Sequence, residues 1–111
     1  MFKKDLLKNK VVLVTGGGSG LGKSMATRFG NLGANLVIGS RRADVITQAA
    51  QELEQTGAEV LGVKCDVRQI DQVNAMVSTA LDKFGRIDIL LNNAAGNFIR
   101  HYFVRCIGKN K

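Results

Sequence analysis

Cysteine, histidine and long apolar runs are scarce in this sequence, and each scarcity closes off a class of function. Only Cys65 and Cys106 occur, far apart and with no C-x-x-C or neighbouring histidine, so neither a zinc site nor a disulfide scaffold is supported. His101 is the single histidine and reads as an exposed side chain, not as a catalytic one. No apolar run reaches membrane length, and the opening lacks the pattern of a signal peptide. With 45% apolar residues and a mean hydropathy near zero, the expectation is a soluble, cytoplasmic protein that does not enter a membrane. One hundred and eleven residues make one small domain.

Acidic residues are scarce only at the two ends. The formal charge is +7, yet residues 1–10 hold Lys3, Lys4, Lys8 and Lys10 against Asp5, and residues 98–111 hold Arg100, Arg105, Lys109 and Lys111 against no acid. Residues 11–97 balance eight basic with eight acidic side chains. A neutral body with basic ends offers no continuous basic face, so nucleic acid is not an expected partner and the end charges read as solvated.

The body repeats strand and helix, with glycine closing each helix. Val11–Val14 forms a first apolar strand. A helix over about 20–32 ends at Gly33 before Asn35–Ile38, one over about 43–56 ends at Gly57 before Glu59–Val63, and one over about 69–84 ends at Gly85 before Ile87–Leu91. This β-α-β-α-β-α-β order predicts right-handed crossovers and a parallel sheet covered on both faces, the dinucleotide-binding half of a doubly wound α/β fold. Met25, Phe29 and Leu32 recur at helical spacing, as do Val73, Met76, Val77, Ala80, Leu81 and Phe84. Both stripes are assigned to packing against the sheet.

Between the first strand and the first helix lies Thr15-Gly16-Gly17-Gly18-Ser19-Gly20-Leu21-Gly22-Lys23-Ser24. A glycine-rich turn into a helix N-terminus cradles phosphate, because the backbone can approach closely and the first helical N–H groups lack partners. Two patterns compete for these residues. Gly17, Gly22, Lys23 and Ser24 fit G-x-x-x-x-G-K-[ST], which implies a P-loop nucleotide hydrolase. That reading also needs an apolar strand ending in aspartate; Asp66 follows a strand that carries Lys64, and Asp88 begins one. The other pattern is Thr15-Gly16-x-x-x-Gly20-x-Gly22.

That second spacing resembles the short-chain dehydrogenase/reductase family, and the resemblance covers residues 8–97. It implies an NAD(P)-binding Rossmann-type doubly wound parallel sheet, here truncated after the fourth strand, with a cofactor-binding unit over 1–97 and an atypical basic tail over 98–111. Gly16, Ser19, Gly20, Leu21 and Gly22 match the family's cofactor loop, leaving Lys23 as a solvated residue. Ser40, Arg41 and Arg42 end the second strand where an NAD-binding fold places a carboxylate. Guanidinium groups bind phosphate in forked pairs, so this position favours NADP(H) over NAD(H); a solvated arginine pair is the alternative. Cys65, Asp66 and Val67 resemble the family's adenine-facing step, although Asp66 equally fits a cap on the following helix. Asn92, Asn93, Ala94, Ala95 and Gly96 are similar to the family's N-N-A-G at the end of the fourth strand.

The run through Asn97 and Phe98 is most like the 2,4-dienoyl-CoA reductase branch, which implies reduction of an enoyl or carbonyl substrate in fatty-acid metabolism. The family's catalytic serine and Tyr-x-x-x-Lys pair have no counterpart, since Tyr102 is followed four places on by Cys106. No residue is therefore assigned a catalytic role. The expectation is a truncated, inactive oxidoreductase that binds a nicotinamide dinucleotide, or else a nucleotide-binding module that works with a partner. Full-length members of the family are expected to be homo-oligomers. Ile89, Leu90 and Leu91 would form an open apolar edge, which Phe98-Ile99 or Tyr102-Phe103-Val104 could cover as an added strand.

Overall fold

Five successive residues, Val11–Thr15, are buried on both faces, as an apolar strand in the middle of a three-layer fold must be. A computed structural model describes residues 5–16 and 20–92, and the backbone of 107–108. The chain runs β1 (Val11–Thr15), α1 (Gly20–Asn31), β2 (Asn35–Ser40), α2 (Ala43–Glu54), β3 (Val60–Lys64), α3 (Ile70–Phe84), β4 (Arg86–Ile87), β5 (Ile89–Asn92) and β6 (Ile107–Gly108). β3, β2, β1 and β5 form a four-stranded sheet in that order, and every pairing in it is parallel. The α/β architecture expected from the alternation is the one observed.

Residue alternation along the central strands divides the core in two. Val12 and Val14 of β1, with Leu36 and Ile38 of β2, meet Ala26 of α1 and Ala49 and Leu53 of α2. Val11, Leu13 and Val37 point the opposite way, toward Met76 and Ala80 of α3. Full burial of each Leu, Ile, Val or Met contributes about 1.5–3 kcal/mol. Val73, Val77, Leu81 and Phe84 flank the second cluster, so the predicted α3 stripe faces the sheet.

On α1 the pattern differs in detail from the expected stripe. The residues that reach full burial are Gly22, Ala26 and Gly30, spaced four apart, while Met25 and Phe29 pack beside them half-buried. Small side chains let the helix lie close on β1 and β2. At Gly30 an added Cβ would come within 2.5 Å of Thr56 Oγ1.

Three further features depart from the sequence reading. β3 lies at a sheet edge, with Gly62 and Lys64 exposed, which explains why a charged residue sits in an otherwise apolar strand. The expected fourth strand is divided at Asp88: the Val11 N–H donates to Asp88 Oδ2 at 2.8 Å, and the Asp88 N–H donates to the Val11 carbonyl at 2.9 Å. β5 continues beside β1, whereas β4 pairs antiparallel with β6. The tail therefore reaches the sheet's neighbourhood through Ile107–Gly108, and the two segments expected to cover the edge, Phe98-Ile99 and Tyr102-Phe103-Val104, lie outside the described residues. Finally, residues 5–10 are not merely a solvated tail. The Leu7 N–H donates to the Leu32 carbonyl at 2.7 Å, and the Asn35 N–H donates to the Lys10 carbonyl at 2.9 Å. Leu7 packs on the first core cluster while Lys8 and Lys10 remain exposed.

Candidate functional site

Parallel strands bring their carboxyl ends to one rim. Thr15 pairs with Gly39 on one side and Asn92 on the other, and Ser40 pairs with Lys64. β1 is flanked by β2 on one side and β5 on the other, so the carboxyl ends of all three strands lie side by side at this rim. The Thr15 hydroxyl donates to Asn92 Oδ1 at 2.7 Å and ties the ends of β1 and β5 together. Thr15 is 5% exposed, so the bond is shielded from competing water.

Past Thr15 the Gly16 N–H donates to the Gly39 carbonyl at 2.8 Å, after which Gly16 turns with φ +71°. Residues 17–19, including Ser19, lie outside the described residues. α1 begins at Gly20, whose φ is +58° and whose missing side chain would meet no atom within 4 Å. The first turn of α1 carries N–H groups without intrahelical partners at the positive end of the helix dipole. Leu21 is exposed and Gly22 buried.

The Lys23 ammonium pairs with Glu52 on α2, and the side chain is only one-third exposed. The expectation of a solvated Lys23 is corrected by the same contact: α1 and α2 share one layer, which brings the two charges together.

At the end of β2 the two arginines separate in role. The Ser40 hydroxyl accepts the Arg42 N–H at 3.3 Å, and Arg42 Nη2 donates to Asp44 Oδ2 at 3.3 Å in the first turn of α2. Both side chains of that pair are more than 70% exposed. A carboxylate, Asp44, therefore stands near this position, and Arg42 pairs with it. Arg41 is exposed and makes no hydrogen bond or ion pair among the described residues.

After β3 the chain folds tightly. Cys65 is buried, with its N–H donating to the Ser40 carbonyl at 2.7 Å; burial, with the nearby Asp66 charge, pushes its thiol pKa up. Asp66 Oδ1 accepts the Arg68 N–H at 3.0 Å and Arg68 Nε at 3.1 Å, and Oδ2 accepts Arg68 Nη2 at 3.0 Å. These bonds hold the Asp66 carboxyl down at about 2, with the Arg68 and Arg41 charges adding to them. The helix-cap alternative for Asp66 is excluded: α3 is preceded by Gln69, which makes no side-chain cap. Gln72 instead reaches back, its Oε1 accepting the Asp66 N–H at 2.8 Å. Val67 is half-buried in the same turn.

Arg68 and Gln72 were not legible as site-shaping residues in the sequence. An Asp-x-Arg spacing in a turn after a strand is the signal for the first of them. Asn92 stands at the rim as expected, and Asn93, Ala94, Ala95 and Gly96 lie outside the described residues. Among the described residues no cluster of His, Cys, Asp and Glu could hold a metal ion, and no helix is long and apolar enough to cross a membrane. The first turn of α1, the available Arg41 and the tied Thr15–Asn92 pair fit an extended anionic dinucleotide laid across the rim.

Comparison with known proteins agrees with this geometry. A family model described as short chain dehydrogenase matches residues 10–104. The peroxisomal 2,4-dienoyl-CoA reductase of Arabidopsis thaliana is 40% identical over 98 residues, covering 88% of this chain and 33% of that protein. The chain thus spans about a third of the length of this curated relative. Among solved structures, a citronellol catabolism dehydrogenase of Pseudomonas aeruginosa superposes with a TM-score of 0.80 at 35% identity, over 86% of this chain and 40% of the other. An NAD+-bound xylitol dehydrogenase (TM-score 0.77, 30% identity, 81% and 34% covered) and an actinorhodin polyketide ketoreductase with NADPH (0.76, 34%, 78% and 33%) are similar as well.

Proposed function

Since the chain belongs to the short-chain dehydrogenase family, whose members bind nicotinamide dinucleotides, we propose that its rim is an NADP(H) site in a 2,4-dienoyl-CoA reductase-like oxidoreductase. The observation that carries the preference for NADP(H) is Arg41, an exposed guanidinium just past the end of β2 that makes no hydrogen bond or ion pair among the described residues. A 2′-phosphate supplies the missing partner in forked geometry. Gly16, Ser19, Gly20, Leu21 and Gly22 hold the pyrophosphate with backbone N–H groups. Ser40, Arg41 and Arg42 take the 2′-phosphate end. Cys65, Asp66 and Val67 line the adenine, and Asn92 to Gly96 carry the nicotinamide half across β5.

When bound, the dinucleotide supplies a hydride. The residues of this chain bind and orient it, and with no Tyr-x-x-x-Lys pair in the sequence we assign them no proton transfer. An enoyl- or dienoyl-CoA is the proposed substrate class of the whole enzyme, on the likeness to the Arabidopsis protein. A cytoplasmic location carries over from composition; that relative is named as peroxisomal, and fractionation of source cells separates the two. The second reading, a nucleotide-binding module working with a partner, draws on β5 ending the sheet order among the described residues and predicts a stoichiometric companion on purification.

Fluorescence titration with NADPH and NADH tests the site. Wild type is expected to prefer NADPH, and Arg41→Ala to weaken NADPH by about tenfold with little effect on NADH. Equal affinity for both in wild type refutes the phosphate assignment, and no binding of either refutes the site.

A further inference from the structure

Building on the cofactor assignment above, we propose that Arg68 is a positioning residue that engages the Asp66 carboxylate and so leaves Arg41 available to the 2′-phosphate of NADP(H). The pairing of Ser40 with Lys64 and the Cys65 N–H bond to the Ser40 carbonyl bring the ends of β2 and β3 out side by side. Arg41 and Asp66 consequently share one stretch of rim, and the Arg41 charge is felt at the Asp66 carboxylate. A carboxylate beside an otherwise unpartnered arginine would normally pair with it, and such a pair would occupy the guanidinium that a 2′-phosphate needs.

Arg68 prevents this by geometry. Both Asp66 oxygens face the Arg68 guanidinium in a forked pair at 3.0 and 3.1 Å, and the Arg68 backbone N–H adds a third bond at 3.0 Å. The Gln72 amide oxygen fixes the Asp66 N–H from the other side at 2.8 Å, which sets the direction in which the side chain leaves the backbone. The Asp66 side chain is 19% exposed and that of Arg68 69%, so the carboxylate is seated in the turn with the guanidinium laid over it. The other carboxylate on this stretch, Asp44, is engaged by Arg42. Among the described residues, Asp44 and Asp66 thus each have their own arginine, and Arg41 makes no ion pair. NAD(H) carries no phosphate at this point and is indifferent to the arrangement, so the consequence is one of cofactor preference.

Titrating the 111-residue chain with NADPH and NADH, as wild type, Arg68→Ala and the double variant Asp66→Asn with Arg68→Ala, tests this. Arg68→Ala is expected to lower the NADPH-to-NADH affinity ratio by about five- to tenfold, because the released carboxylate captures Arg41. The double variant has no carboxylate to release and is expected to restore the ratio to within about twofold of wild type, whatever common loss Asp66→Asn brings to both dinucleotides. Thermal melts establish that the variants fold, and Arg68→Gln replaces Arg68→Ala if that one does not. An unchanged ratio in Arg68→Ala, or a double variant no better than the single one, overturns the proposal while leaving the cofactor assignment standing. Wild type that binds neither dinucleotide overturns both.

Discussion

Replacing Asp88 by alanine removes the carboxylate that ties the start of β1 to the junction between β4 and β5. Its carboxylate accepts the N–H of Val11, a residue 1% exposed, at 2.8 Å. It also receives a forked pair from Arg86 with Nη2 at 2.6 Å and Nε at 2.9 Å, and the side chain itself is only 10% exposed. Loss of a charge-assisted acceptor that leaves a buried N–H unsatisfied costs about 1.5–3 kcal/mol. The Arg86 pair, with its guanidinium 39% exposed, is screened by water and adds about 0.5–1 kcal/mol. The sum is about 2–4 kcal/mol, and for a domain of this size each kcal/mol lowers Tm by about 4–8 °C. Asp88→Ala should therefore melt at least about 8 °C below wild type by circular dichroism. Asp88→Asn keeps an acceptor for Val11 and should lose about half as much, while Arg86→Ala should lose about 1 kcal/mol or less. A melting point for Asp88→Ala within about 3 °C of wild type, or an Arg86→Ala variant that is the worse of the two, would refute the assignment of the main effect to the Val11 N–H.

Two other outcomes follow from the same geometry. Carbon-13 carboxyl titration should place Asp66 at about 2, and Arg68→Ala should raise it only part of the way toward 3.8, because the Arg41 charge still holds it down. Since the folded value is the depressed one, the associated stability is present at neutral pH and is lost as pH falls from about 4 toward 2; an Asp66 midpoint at 3.8 in wild type contradicts the forked pair. Gly33 ends α1 with φ +99°, and an added Cβ would lie 3.3 Å from Lys8 N and 3.4 Å from the Cα atoms of Asp5 and Lys8. Backbone cannot step aside as a side chain can, so Gly33→Ala should cost about 2 kcal/mol in urea denaturation, and a stabilised variant would show that the 5–10 segment does not pack there.

The alternation of apolar strands with helices closed by Gly33, Gly57 and Gly85 determined the α/β fold and its element order, because each signal is local: period, cap and turn chemistry act within a few residues. The glycine-rich turn after β1 and the arginine pair after β2 stand out in the sequence for the same reason, being contiguous in the chain. What tertiary structure decided was how charges far apart or on different elements divide among partners. Lys23 meets Glu52 only because α1 and α2 share a layer. Asp88 reaches Val11 across 77 residues, and Thr15 reaches Asn92 across the same separation. The roles of Arg41 and Arg42 diverge through local pairs, Asp44 lying two residues from Arg42 and Asp66 two from Arg68, and Arg41 is beside neither in sequence. For the long-range pairs, a carboxylate's or amide's partner depends on which groups the fold brings within hydrogen-bond distance, and that distance is fixed by strand register and helix placement, which no local pattern encodes.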